Sequence, residues 1–286
     1  MLVSMASGRE EFGPFHGKPA KILYLDYDNP SRTVLYRFKN FVKMFGDCGD
    51  NFNVWSPSLI SSDDGGEMNL GSEAGFKLLG DWLEVIQPNI VVIDTVRNAF
   101  GGLEEANAAE WFKVNFVAKS IRTKFKASVV LVHHRNKPGE GGLGREAGST
   151  AQLTDIDTQL MITTVYRDKA MAKNKAGLLD TDLRVTNFDG KEFSPTTYLE
   201  ERLEPDSRIR MVQQISFGKT RQQTELHRTY YVGWADRLAD GTQYMVHTPS
   251  PKQQAIWLHI NKAMSVENIS RKLMIPMYEV KQWIPT

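Results

Sequence analysis

The chain is 286 residues long, with 41% hydrophobic and 24% charged residues and a formal net charge of +1. This supports one large domain, or one with a small appendage, around a real core; it excludes a global basic field, so nucleic-acid binding would need a local patch. The single cysteine, Cys48, excludes an internal disulfide and a cysteine-built zinc cluster and fits a reducing cytoplasm, and no run approaches the ~20 apolar residues of a membrane span.

In chain order, MLVSMA is apolar and helix-like and stops at Gly8. It lacks the basic start and the ~7–15-residue apolar run of a signal peptide. KILYLDYD (21–28) is bounded by Pro19 and Asn29-Pro30 and reads as a buried strand. Residues 31–46 carry Val34, Leu35, Phe38, Phe41, Val42 and Phe45 at helical spacing and end at Gly46, which predicts an amphipathic helix. FNVWSP (52–57) is a second strand, residues 61–72 a loop, and 76–88 a helix stopped by Pro88. NIVVIDTV (89–96) is the clearest buried strand; residues 104–125 form a long helix, and ASVVLVHH (127–134) is another strand. Continuous apolar strands alternating with helices predict an α/β fold with a mostly parallel sheet covered on both faces. After a glycine-rich loop, strands at 158–166, 182–188, 208–217 and 227–234 read as a meander finishing that sheet, and 241–252 reads as a linker. Three short helical segments close the chain, with Val266, Ile269, Leu273, Val280 and Trp283 as apolar positions and Met274-Ile275-Pro276 as a turn. They match a helix-turn-helix or, equally, a small helical appendage. The expected organisation is a core over 1–240 and a C-terminal domain over 251–286.

In an open parallel sheet, ligands bind beyond the carboxyl ends of the strands. Asp94 ends a strand after four apolar residues and is followed by Thr95, the form of a Walker B acid that holds Mg²⁺ beside a nucleotide. A helix cap or turn former has the same pattern. Asp26 and Asp28 are two apart and would share a strand face, where one could act as general base; on spacing alone, turn chemistry at Asp28-Asn29-Pro30 is the reading that stands. His133 and His134 would point to opposite faces, so at most one reaches the crevice and could contact a terminal phosphate. A zinc pair lacks HxH or HxxxH spacing. ISFGKTR fails as a P-loop because Gln213 stands where its first glycine belongs, and GPFHGKP fails in its spacing and at Pro19.

KILYLDYDNP, NIVVIDTVRNAFGG, VVLVHHRNKPGEGGLGREAGST and ISFGKTR, in this order, resemble the RecA-fold AAA-domain ATPases of the RepA-like and DnaB-like hexameric helicase branch of phages and plasmids. The resemblance covers roughly residues 1–235. It implies a RecA-like sheet flanked by helices, ATP and Mg²⁺ as cofactors, a homo-oligomeric ring, a hexamer by the family pattern, and single-stranded DNA as partner. It implies Asp94 as the Mg²⁺ ligand beside Thr95 and His133 in the nucleotide site. Asp28 takes the catalytic carboxylate position, usually Glu in that family, and His134, or less readily His133, senses phosphate. Lys219 and Arg221 match the K-x-R that acts on the neighbouring subunit's nucleotide. Lys137 and Arg145 would meet DNA in the glycine-rich loop, and Arg271, Lys272 and Lys281 in the C-terminal helices. In that family a strand and a P-loop precede a stretch like MLVSMASGREEFGPF, so the resemblance places the phosphate cradle upstream of residue 1. The 286 residues alone are therefore expected to bind ATP poorly, as the core of a replication or recombination motor. A non-catalytic DNA-binding or loader protein on the same scaffold is the alternative, and a metal-dependent hydrolase using Asp26, Asp28, Asp94 and the histidines is a third.

Overall fold

The computed structural model describes residues 1–57, 59, 68–104, 107–133, 156–220 and 229–284. It begins with α1 (Leu2–Ala6) and a two-stranded hairpin of β1 (Glu11–Phe12) and β2 (Phe15–His16). Then come β3 (Ile22–Asp26), α2 (Ser31–Phe45), β4 (Phe52–Trp55), α3 (Glu73–Ile86) and β5 (Ile90–Asp94). The short α4 (Val96–Ala99), α5 (Ala108–Phe125) and β6 (Ser128–Val132) follow. Contacts divide the chain into two units, Met1–Phe12 with His16–Ile156 and Gly13–Phe15 with Asp157–Thr286.

The first unit is α/β, with a parallel four-stranded sheet in the order β4-β3-β5-β6 flanked by helices. The central strands β3 and β5 are apolar at successive positions because both faces are covered, whereas the edge strand β6 leaves Ser128 and Val130 exposed. Leu23, Leu25, Trp55, Val91 and Ile93 point to one face and pack with Leu79, Leu83 and Ile86 of α3 and Trp111, Val114, Val117 and Ile121 of α5. Ile22, Tyr24, Phe52, Val92 and Val132 point to the other and pack with Val3 and Ala6 of α1 and Phe38, Phe41 and Phe45 of α2. The amino-terminal apolar stripe is thus core. Helix α3 starts earlier than its apolar pattern predicts because Ser72 caps it, its hydroxyl accepting from the Gly75 amide at 3.1 Å. Asn107 caps α5 in the same way, so that helix starts later than predicted.

The second unit contains β7 (Thr158–Tyr166), α6 (Lys169–Asn174), β8 (Leu178–Leu179), β9 (Val185–Thr186), β10 (Glu192–Phe193) and α7 (Pro195–Glu200). It continues with β11 (Ser207–Thr220), β12 (Tyr230–Arg237) and β13 (Gln243–His247). The expected meander does not finish the parallel sheet: these strands form a separate five-stranded sheet, β13-β12-β11-β7-β8, antiparallel except for β7 with β8. Burial on one face only explains the difference. Val165 and Val212 are buried while Leu160, Ile162 and Met211 remain exposed, as in a sheet with a solvated face. Two further expectations are corrected. The strand at 182–188 shrinks to β9, and the linker at 241–252 contains β13, which pairs Gln243–His247 with β12.

The chain ends in α8 (Pro251–Lys262), α9 (Val266–Leu273) and α10 (Met277–Trp283). They enclose Ala255, Leu258, Ile269, Leu273, Ile275, Val280 and Ile284. Ser250 and Gln253 form a capping box at the start of α8, and α9 ends at a left-handed Met274 before Pro276 leads into α10. The sequence reading put its boundary between 240 and 251; contacts put it at 156/157 and keep the three helices with the antiparallel sheet.

Candidate functional site

The carboxyl ends of β3 and β5 lie side by side, with Asp26 in register with Asp94. Tyr24 and Asp94 are diagonal on one face of this pair, a separation that a long side chain spans. The Tyr24 hydroxyl donates to Asp94 Oδ2. Burial first, then this bond and the carboxylate's charge, push the Tyr24 phenol far above its ordinary range. The Tyr27 amide donates to the Asp94 carbonyl at 2.6 Å, extending the strand pairing by one bond. Thr95 is buried, the Asp94–Thr95 peptide is cis, and α4 starts directly after it.

The two carboxylates expected to share a face have different fates. Asp26 is buried, and its Oδ1 accepts from the amides of Asp28 and Asn29 at 3.0 and 2.9 Å. The Asn29 side-chain amide donates to both Asp26 oxygens. Turn formation thus occupies Asp26 and ends β3 there. Asp28 lies past the strand end, so the shared-face expectation fails. It is exposed, and its Oδ1 accepts from Asn98 Nδ2 of α4 at 3.0 Å. Asp28 and Asp94 therefore both lie at the carboxyl ends of the central strands, linked through Asn98 in the turn after β5. Arg37 reaches the same turn, donating to Asn29 Oδ1 at 3.1 Å.

His133 packs edge-on against the buried Trp111 of α5, with ring centroids 5.6 Å apart, on the face opposite Tyr24 and Asp94. The structure does not bring it to the carboxylates. His134, Lys137, Arg145 and Arg221 lie outside the described residues. Lys219 lies on β11 in the second unit, where its backbone pairs with Gln159 of β7. Arg271, Lys272 and Lys281 are exposed on α9 and α10, with Arg271 bonded to Glu267.

Tyr24 and Asn98 were not singled out from the sequence. Tyr24 was accessible to it, since it has the same strand parity as Asp26 one pair below the carboxylate end. Asn98 becomes relevant only once α4 turns it toward Asp28.

Among the described residues no three His, Cys, Asp or Glu side chains gather to hold a metal. A single strand-end carboxylate such as Asp94 is compatible with Mg²⁺, which keeps several water or phosphate ligands.

Residues 1–140 match the AAA domain family. The match includes all four parallel strands, Asp28 and Asp94, and it supports an AAA/RecA-like ATPase-type domain there. No curated protein matches the chain. No helix among the described residues is long and apolar enough to cross a membrane.

Proposed function

We propose that this chain is the ATPase core of a DNA replication or recombination motor of the RepA-like and DnaB-like branch, coupling ATP hydrolysis to single-stranded DNA in a cytoplasmic homo-oligomeric ring. The carrying observation is Asp94, held by Tyr24 at the carboxyl end of β5 inside the stretch matched by the AAA domain family. Asp94 takes the Mg²⁺ position beside Thr95, and bound Mg²⁺ would neutralise charge developing on the β- and γ-phosphate oxygens. Asp28, steadied by Asn98, orients and deprotonates the attacking water. Because His133 is turned to Trp111, the phosphate-contacting role falls to His134. Lys219 and Arg221 act on the nucleotide of a neighbouring subunit. Lys137 and Arg145 meet DNA phosphates, as do Arg271, Lys272 and Lys281 in a helix-turn-helix. Residues 1–286 carry no G-x-x-x-x-G-K-[ST], so the reading expects affinity for ATP-Mg weaker than micromolar from these residues alone.

The test is ATP hydrolysis, with and without oligo(dT), by the product of the longest reading frame encoding these residues, compared with its Asp94→Asn variant. We expect DNA-stimulated turnover in the parent and a loss of at least a hundredfold in the variant, since a metal-holding charge disappears. Full activity in Asp94→Asn, or no hydrolysis by the long product, overturns the reading. The metal-dependent hydrolase loses support because Asp26 is occupied by its turn and His133 faces away.

A further inference from the structure

Helix α2 contains Arg32, Arg37, Lys39 and Lys43 and no acidic residue over its 15 residues. In a chain of net charge +1 this is a local accumulation of positive charge. Arg32, Tyr36, Lys39 and Lys43 are spaced i, i+4, i+7 and i+11, which aligns them in one stripe along the helix. The inward side of α2 is occupied by Val34, Phe38, Phe41 and Phe45. The stripe faces outward: its three cations are exposed, with Tyr36 66% and Leu35 56% exposed beside them.

Helix stability accounts for Lys43, in the last turn of α2, but not for Arg32 or Lys39. Arg208 and Arg210 share Asp236, Arg167 reaches Glu200 and Arg271 reaches Glu267. Arg32, Lys39 and Lys43 form no ion pair with any described residue. Arg32 also lies in the first turn of α2, where a positive charge opposes the helix dipole.

We propose that the outer stripe of α2, Arg32-Tyr36-Lys39-Lys43, is a binding surface for single-stranded nucleic acid. From residue 32 to 43 the helix rises about 16 Å, long enough for the three cations to meet successive phosphates of one strand. The three cations replace counterions on the phosphates. Tyr36, in their midst, offers a flat face for an unstacked base, and its exposed ring favours a single strand over an acidic polypeptide. Duplex DNA keeps its bases stacked and leaves Tyr36 without a partner. The inference shares only its polymer with the proposed motor function: it rests on α2 and requires no nucleotide.

The experiment is fluorescence anisotropy of labelled oligo(dT) with the 286-residue chain, without ATP, over a salt series. Arg32→Glu/Lys39→Glu/Lys43→Glu is expected to weaken binding at least tenfold. It should also lower the salt slope by about 2, from three lost contacts at ~0.7 each. The neutral triple Gln variant should show the same slope change without charge reversal, and so covers the case in which the Glu variant fails to fold. Tyr36→Ala is expected to weaken binding roughly tenfold, with Tyr36→Phe restoring it. Arg145→Ala in the same assay reads the loop assigned to DNA above. A loss there with none in the α2 variants sinks the helix proposal and leaves the motor reading standing. Losses in the α2 variants without ATP hydrolysis by the long product do the reverse. Absent oligo(dT) binding by the parent, unchanged binding and slope in the triple Gln variant, or an equal loss of binding to polyglutamate overturns the proposal.

Discussion

Tyr24 sits two residues before Asp26 on β3 and donates its hydroxyl to the neighbouring strand's Asp94. A carboxylate at a strand end otherwise has several rotamers, and this bond restricts them. The phenol's acidity gives the arrangement a pH signature. An unfolded tyrosine ionises near pH ~10, whereas folded Tyr24 keeps its proton to higher pH. Its contribution is complete below about pH 10 and is lost as pH rises from there through the folded-state value. Urea unfolding as a function of pH should therefore show a steeper decline above about pH 10 in the parent than in Tyr24→Phe. At pH 7 that variant should lose about 1.5 kcal/mol, the lower end for a bond to a charged acceptor because the ring is partly exposed. Equal pH slopes would remove the bond from the account. The acid itself was legible as a residue type after an apolar run. Its partner was not, because hydrogen bonding across 70 residues depends on the β3/β5 register. Asp26 shows the opposite limit: two acids at spacing two looked equivalent, and backbone amides of the next turn separated them.

Elements followed their apolar periodicity closely in the parallel sheet, buried at β3 and β5 and partly exposed at Val130 of the edge strand β6. Strands β3, β5 and β6 lie within the runs 21–28, 89–96 and 127–134. Their ends depart from the pattern where side-chain caps intervene, as at Ser72 and Asn107. Gly75 belongs to such an end. A Cβ there would stand 2.1 Å from the Asn69 carbonyl oxygen, so the first turn of α3 rests directly on backbone. Gly75→Ala should therefore destabilise the chain by about 1–3 kcal/mol through overpacking, despite alanine's better helix propensity. Urea denaturation followed by tryptophan fluorescence measures it, and an unchanged or higher midpoint would contradict this close approach. Strand β13 is only five residues long, with Gln243 and His247 at its ends and Gly241 and Pro249 close by, so it read as linker until pairing with β12 defined it.

At the scale of the whole molecule, each unit encloses its own core. Leu25, Val91, Leu83 and Ile121 belong to the first, and Val212, Tyr198, Tyr231 and Val246 to the second. Independent cores predict unfolding that is not two-state, with a calorimetric enthalpy exceeding the van't Hoff value. Leu25→Ala, at a fully buried position, should cost about 2–5 kcal/mol and lower one transition while leaving the other in place. A single transition that moves as a whole would mean the two cores unfold as one. The parallel α/β half was written in the sequence as apolar runs alternating with amphipathic helices, because burial on both faces demands such runs. Asp94, Asp28 and the histidines stood out there as polar residues ending those runs. Only tertiary structure decided that the later strands build a sheet of their own, since strand pairing depends on register and not on composition. Tertiary structure likewise decided that Asp26 closes a turn while Asp28 meets Asn98, and that His133 turns to Trp111 while Tyr24 holds Asp94. Each of those outcomes depends on which distant residue a side chain meets, and that is set by packing between elements.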